Sequence, residues 1–238
     1  MTDRTTLLDD LAVTVAATRG AERELFGALD DETLHRPIRE GDWNPKDFQA
    51  HLTAWKARQA DRYAAVREGR ELPPPIEDQE EDALNAELRA AREAWTWEAV
   101  VDEADSVTER LVGEIRRADE ATLLASDRLI PGTFGNGVLH ALTHFRWLLE
   151  ASVPLDGERV AAFVDDARGL VSAPGLPDAA RAVGAYDLAC HHALAGDPET
   201  ARELLREAFR LDRELVEFSR TDDELGSLRG EIDELAAG

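Results

Sequence analysis

Gly41-Asp-Trp-Asn-Pro-Lys-Asp-Phe-Gln-Ala-His-Leu-Thr-Ala-Trp55 begins a helix by three separate signals. Asn44 suits the N-cap, and Pro45 suits the first helical position, where its missing N–H had no partner to lose. Asp47 places a negative charge in the first turn, at the positive end of the helix dipole. Phe48, His51, Leu52 and Trp55 then recur at i, i+3, i+4 and i+7, so one core-facing stripe carries an imidazole at its middle. The fold and the function both turn on what faces that stripe.

Working outward, the chain offers more helices and no convincing alternating strand. Residues 3–29 carry Leu7, Leu8, Leu11, Val15, Leu25 and Phe26 at helical spacing. A polar connection over 30–41, broken by Pro37 and Gly41, delivers the chain to the second helix, expected to run to about Gly69. Pro73-Pro-Pro75 enforces an extended break, and the acidic run 77–82 begins a short helix through about Ala94. Thr96 suits the cap of the next helix, whose stripe is Val100, Val101, Ala104, Val107, Leu111, Val112 and Ile115. A loop over 131–137, with Asn136 as cap, precedes a helix over 138–151 that is apolar nearly all round and is expected to be the most buried of this half. Four such helices predict an all-α chain whose residues 1–153 form an antiparallel four-helix bundle.

Pro154 to Gly157 marks a change of character, and residues 154–238 are expected to form a second helical region. Helices are predicted over 158–170, Asp178–Leu194 and Pro198–Leu211, with a proline- and glycine-rich joint at 174–177. Gly196-Asp-Pro198 stops one helix and starts the next, with Asp197 as cap and Pro198 at the first position.

Composition narrows the functions. The 238 residues, 43% of them hydrophobic, supply ample core. The net charge of −23, from 50 acidic against 27 basic residues, repels phosphate backbones, and no basic patch overrides it, so nucleic acid is excluded as a partner. Lys46 and Lys56 are the only lysines. The single Cys190 rules out an internal disulfide and a thiolate zinc cage. With no signal-peptide run and no stretch near the roughly 20 apolar residues of a membrane span, a soluble cytoplasmic protein is expected.

Three of the six histidines sit on core faces. His140 and His144, four apart, share one face of the last bundle helix, and two imidazoles so placed can bind one metal ion. His51, from a facing helix, would complete a three-histidine site with an open position for water or substrate. The competing account is a core imidazole hydrogen-bonded to a neighbour, which is commonplace for a histidine on an apolar stripe. Held by three neutral imidazoles, a divalent metal would lower the pKa of a water or thiol in the open position. His35, His191 and His192 are assigned no chemistry.

Other chemistries find little support. The glycines of 132–137 lack the preceding strand of a dinucleotide fingerprint, so no nucleotide cofactor is expected. Cys190 and His191, adjacent on a helix, point about 100° apart and make a poor nucleophile and base. Asp47 could orient His51 from outside the ligand set, although its place in a first turn already accounts for it. Glu150 is expected to be solvated. The tryptophans at 43, 55, 95, 97 and 147 could line an apolar pocket or pack in the core.

The stretch around Trp43, together with Phe48-Gln-Ala-His51-Leu-Thr-Ala-Trp55, resembles the second-helix signature of DinB-like four-helix bundles. Within them it is most similar to the ClbS/DfsB branch, which Ala94-Trp-Thr-Trp-Glu-Ala-Val100 also resembles. The likeness covers about the first 150 residues. The metal-binding DinB-like members, among them thiol-dependent transferases and isomerases, imply a site of one histidine on the second helix and two on the last, for which zinc or nickel is expected here. ClbS-type members open an electrophile in a genotoxic metabolite, and not all members keep the metal. His51 matches the second-helix ligand. His140-Ala-Leu-Thr-His144 supplies the pair in one register, whereas the register His144 to Leu148 would leave the site incomplete.

The C-terminal region resembles one tetratricopeptide unit. Ala185, Leu188, Ala189 and His192 on one helix, and Ala201, Leu205 and Ala208 on the next, stand where such helices pack closely. It departs from the pattern at Ala185, where tryptophan is common, and at Arg213, where proline usually ends the unit. A solenoid normally needs three repeats, so docking on the bundle or dimerisation is expected of this one. Two functions follow from these resemblances. One is a metal-dependent enzyme that adds a thiol or water to a small electrophilic metabolite. The other is a non-catalytic interaction or sequestering protein whose C-terminal helices bind a protein partner.

Overall fold

The computed structural model describes residues 5–39, 41–73, 78–119, 123, 126 and 128–237. Among them there is no strand beyond an isolated bridge between Arg39 and Trp43. The chain is all-helical, as the periodicity predicts. Pro74 and Pro75 of the expected break and Glu77 at the start of the acidic run lie outside the described residues.

Four long helical segments surround the core: α1 (Thr5–Gly27), α3 (Pro45–Arg67), α5 (Trp97–Arg117) and a continuous run over 129–150. A short α2 (Asp31–His35), capped by Asp30, links the first two, and α4 (Asp78–Ala90) packs on α3. The signals in the opening stretch all operate. Asn44 accepts from Asp47 N at 2.9 Å, the Asp47 carboxylate accepts from Asn44 N, and Pro45 follows the cap. Thr96 likewise caps α5, its hydroxyl accepting from Ala99 N.

Three expectations need correction. The short acidic helix stops at Ala90 instead of continuing to Ala94, and turns carry the chain on to Thr96. The loop expected over 131–137 is helical, so Asn136 caps nothing. The run consists of α6 (Leu129–Phe134), a π turn (Gly135–Leu139) and α7 (His140–Glu150). Proline is tolerated in a first helical turn, where Pro131 stands, and Gly132 and Gly137 serve close approach. A Cβ on Gly132 would stand 3.0 Å from Gln59 Oε1, and one on Gly137 3.0 Å from Val15 Cγ2. The most continuously buried stretch is the start of α3, where every residue from Pro45 to Lys56 is buried, because α1, α2, α4, α5 and the 129–150 run all pack around that helix.

Polar bridges tie the helices together inside. Gln59 Nε2 donates to Leu129 O at 3.0 Å and Thr133 Oγ1 at 2.9 Å, and the Tyr63 hydroxyl shares a 2.8 Å hydrogen bond with Thr133, joining α3 to α6. Lys56 and Glu22 form a fully buried ion pair between α3 and α1. Gln49 links the Glu22 carboxylate to Arg19, which reaches Asp105 on α5 at 2.8 Å. Lys46 is spent on the Glu93 and Trp95 carbonyls, so both lysines act within the fold.

Beyond Val153 come α8 (Gly157–Val171), capped by Asp156, then α9 (Asp178–Leu194) and α10 (Pro198–Leu211). Asp197 caps α10 through Thr200 N, with Pro198 at its first position, as the turn signal predicts. Gly184 of α9 lies directly on α6, where a Cβ would stand 2.1 Å from Phe134 Cε1 and 2.7 Å from Val171 Cγ2. One cluster of buried side chains therefore runs from α1 through the C-terminal helices. Two short helices that the periodicity did not reveal, α11 (Glu214–Ser219) and α12 (Ile232–Ala237), close the chain over α10.

Candidate metal centre

His51 projects from the second turn of α3, and His140 and His144 from the first turns of α7. The π turn immediately before His140 sets the direction in which α7 presents both rings. His51 Nε2 lies 3.0 Å from His140 Nε2, and His144 Nε2 lies 3.2 Å from the same atom. All three residues offer a ligand atom within 4.8 Å of the others. Of the two registers open in the sequence, the structure adopts the one that joins His140 and His144, and it seals Leu148 in the apolar core.

The residues fit a metal ion. Three nitrogens, each about 2.0–2.1 Å from one tetrahedral ion, stand about 3.3 Å apart, close to the spacings here. Hydrogen bonding alone accounts for them poorly. A neutral imidazole nitrogen has either one lone pair or one N–H, so His140 Nε2 satisfies one neighbour and leaves the other facing it. Charge repulsion within the trio is relieved only by neutrality. Burial pushes His51 down to about 4, and burial together with the neighbouring imidazoles holds His140 and His144 well below the ordinary histidine range. Neutral imidazole is the form that ligates.

The rings are oriented by packing. No Nδ1 of the three has a hydrogen-bond partner among the described residues, in place of the outer hydrogen bonds that commonly fix a ligand ring. Aromatic contacts substitute for them. Phe48 stacks on His144 at 4.6 Å, and Trp147 meets the same ring edge-on at 4.6 Å. Trp43 stands edge-on to His51 at 5.4 Å, and Trp55 to both His51 and His140 at 6.2 Å. Three tryptophans thus line or brace the site, an outcome the sequence left open between pocket and core.

The trio opens into a cavity of about 460 Å³. Trp43, Phe48 and Trp147 form its apolar wall, and Glu81, Asp82 and Asn85 of α4 and Arg39 and Arg89 its polar side. Asp47 takes no part. Its carboxylate is held by the capping box and by Arg89 Nε at 3.0 Å, as its first-turn position suggests. Arg89 also donates to the Gly41 and Asp42 carbonyls, where the backbone has φ of 77° and 60°.

The remaining candidates lie elsewhere. Glu150 is exposed. His35 ends α2, with Nδ1 2.8 Å from Asp31 O. His191 and His192 lie on α9. Cys190 is buried 3.7 Å from Asp222 Oδ2, and burial beside that carboxylate pushes its thiol far up, away from nucleophilic use.

An all-helical body with a trio of histidines at its cleft defines a helical protein with a candidate metal centre. The match to the DinB superfamily model over residues 14–149 contains all three histidines, and the chain belongs to that superfamily, whose members often bind metal. No curated protein and no solved structure matched the chain. No helix among the described residues is long and apolar enough to cross a membrane.

Proposed function

We propose that the chain is a metal-dependent enzyme of DinB four-helix-bundle type that adds a thiol or water to a small electrophilic metabolite. The observation that carries this is the convergence of the His51, His140 and His144 Nε2 atoms at the floor of an open cavity. Bound there by the three imidazoles, zinc or nickel would supply Lewis acidity toward a thiol or water. The chain's own part is to keep the three rings neutral by burial and to hold them in register with Trp43, Trp55, Phe48 and Trp147. The apolar wall of Trp43, Phe48 and Trp147 accepts the carbon skeleton of an electrophile and excludes bulk water from it.

Elemental analysis of the purified chain tests the proposal. About one divalent metal per chain, lost in a His51→Ala/His144→Ala variant, is expected, and a chain that neither carries nor takes up metal overturns it. Opening of an epoxide or cyclopropane electrophile by such a metal-free chain would instead favour ClbS-type hydrolysis.

A second reading is an interaction protein acting through its C-terminal helices, taken as a tetratricopeptide-like unit. It draws on Leu194 and Phe218, which are 42% and 61% exposed. Light scattering that shows a dimer dissociated by Phe218→Ser would favour it.

A further inference from the structure

The geometry points to Arg39 as an anion subsite of the metal cavity, taking the carboxylate of a small monocarboxylic substrate. This inference rests on the reading of the trio as a substrate-binding metal site and adds the class of molecule it receives. The cavity has two arginines with different roles. Arg89 is fully committed, to Asp47 and to the Gly41 and Asp42 carbonyls. Arg39 has no ion pair and no side-chain hydrogen bond among the described residues, in a chain with 50 acidic groups against 27 basic ones. Glu81 and Asp82 line the same cavity without pairing with it.

Arg39 is also held in place. Its backbone bridges to Trp43, and its guanidinium lies over the Trp147 ring with Cζ 3.8 Å from the centroid. Trp147 in turn packs edge-on against His144, so a continuous chain of contacts runs from the guanidinium through the indole to the histidine trio. A guanidinium held by its carbon over an indole face leaves its N–H groups free to meet a carboxylate through two parallel hydrogen bonds. A ligand whose carboxylate meets Arg39 would place a reactive atom a few bonds away over the histidines. Glu81, Asp82 and the overall negative field oppose a second negative charge, which selects monocarboxylates over dicarboxylates.

The test uses the full chain loaded with cobalt(II) and two thiols of equal size, 3-mercaptopropionate and 3-mercaptopropionamide, titrated by visible absorption. The acid is expected to bind about tenfold or more tightly than the amide, the worth of a charge-assisted hydrogen bond. Arg39→Gln should bring that ratio close to one while cobalt content and amide affinity stay unchanged, and Arg39→Lys should restore part of it. Equal binding of acid and amide by the wild type, or an undiminished preference in Arg39→Gln, overturns the subsite. A second pair without the thiol, crotonate and crotonamide, tells a carboxylate on the electrophile from one on the thiol. Failure of cobalt to bind would count against the metal reading alone. The same pairs titrated against the metal-free chain by tryptophan fluorescence then decide the subsite: an acid preference abolished by Arg39→Gln supports it, and an equal response rejects it.

Discussion

His51 Nε2 and His140 Nε2 stand 3.0 Å apart across 89 positions of sequence, on two helices that bring the rings together nearly at right angles. The contact brings together a buried and a half-buried neutral ring whose Nδ1 atoms have no partner among the described residues, and a third ring crowds the same Nε2 atom. A cation that accepts all three lone pairs relieves this arrangement.

Removing any one of the three rings should therefore cost more than the 10–100-fold in metal affinity typical of losing an outer-shell partner. Competition with a chromophoric chelator measures it for His51→Ala, His140→Ala and His144→Ala. Asp47→Asn, which alters a helix cap and not a ligand, should leave the affinity within about threefold, far outside the 10–100-fold of an orienting partner. Wild-type chain at a free metal concentration 100 times Kd should gain about 2.7 kcal/mol of stability, a gain absent from the three variants.

Gly184→Ala should destabilise the chain by about 1–3 kcal/mol, the usual cost of overpacking. The new Cβ has no room, since Phe134 Cε1 would stand 2.1 Å from it. Phe134→Leu in the same chain should recover part of the loss, because the two positions share one contact and their effects are not additive. Urea midpoints of the four chains give the coupling directly.

The buried ion pair between Lys56 and Glu22 gives a sharper contrast. Burial lowers the Lys56 ammonium, and the Glu22 carboxylate opposes that shift. Lys56→Met alone should cost about 3–5 kcal/mol, since it leaves the buried Glu22 carboxylate with only the Gln49 amide and the more distant Arg19 at 3.7 Å. Lys56→Met with Glu22→Leu should cost markedly less, because no charge is left without its partner. Thermal unfolding of the single and double variants distinguishes the two.

His191 gives stability a dependence on pH. Burial, with Arg146 and His192 nearby, holds its imidazole at about 4. Its folded value lies below its unfolded value near 6.5, so the unfolded chain binds the extra proton. Its contribution is complete above about pH 6.5 and is lost as pH falls toward 4. His191→Gln should reduce the stability lost over that window by about 1–3 kcal/mol, read from denaturant midpoints at pH 7 and pH 4.

Much of this was legible from local chemistry. The capped start of α3, the i, i+4 pair on α7 and the Asp197–Pro198 helix start are short-range signals, and tertiary structure left them intact. The helical run from Gly132 to Gly137 was not legible, because glycine in sequence signals a turn as readily as a close approach, and only the neighbours Gln59 at Gly132 and Val15 at Gly137 decide between them. The same holds for the aromatic bracing of the trio. Phe48 and Trp55 were read as core positions, and their contact with the imidazoles depends on helix rotation that no single-helix pattern records. Glu214–Ser219 and Ile232–Ala237 are too short to display a period.

The π turn over Gly135–Leu139 makes the centre tolerant of one particular change of length. Such a turn holds one residue more than an α turn, so deleting a single residue from it would restore regular helix and leave α7 in nearly the same phase. Loss of one residue between His140 and His144, in regular helix, would instead turn His144 by about 100° away from the face it shares with His140. A codon lost in the π turn therefore keeps the three rings together, and one lost a few residues later parts them.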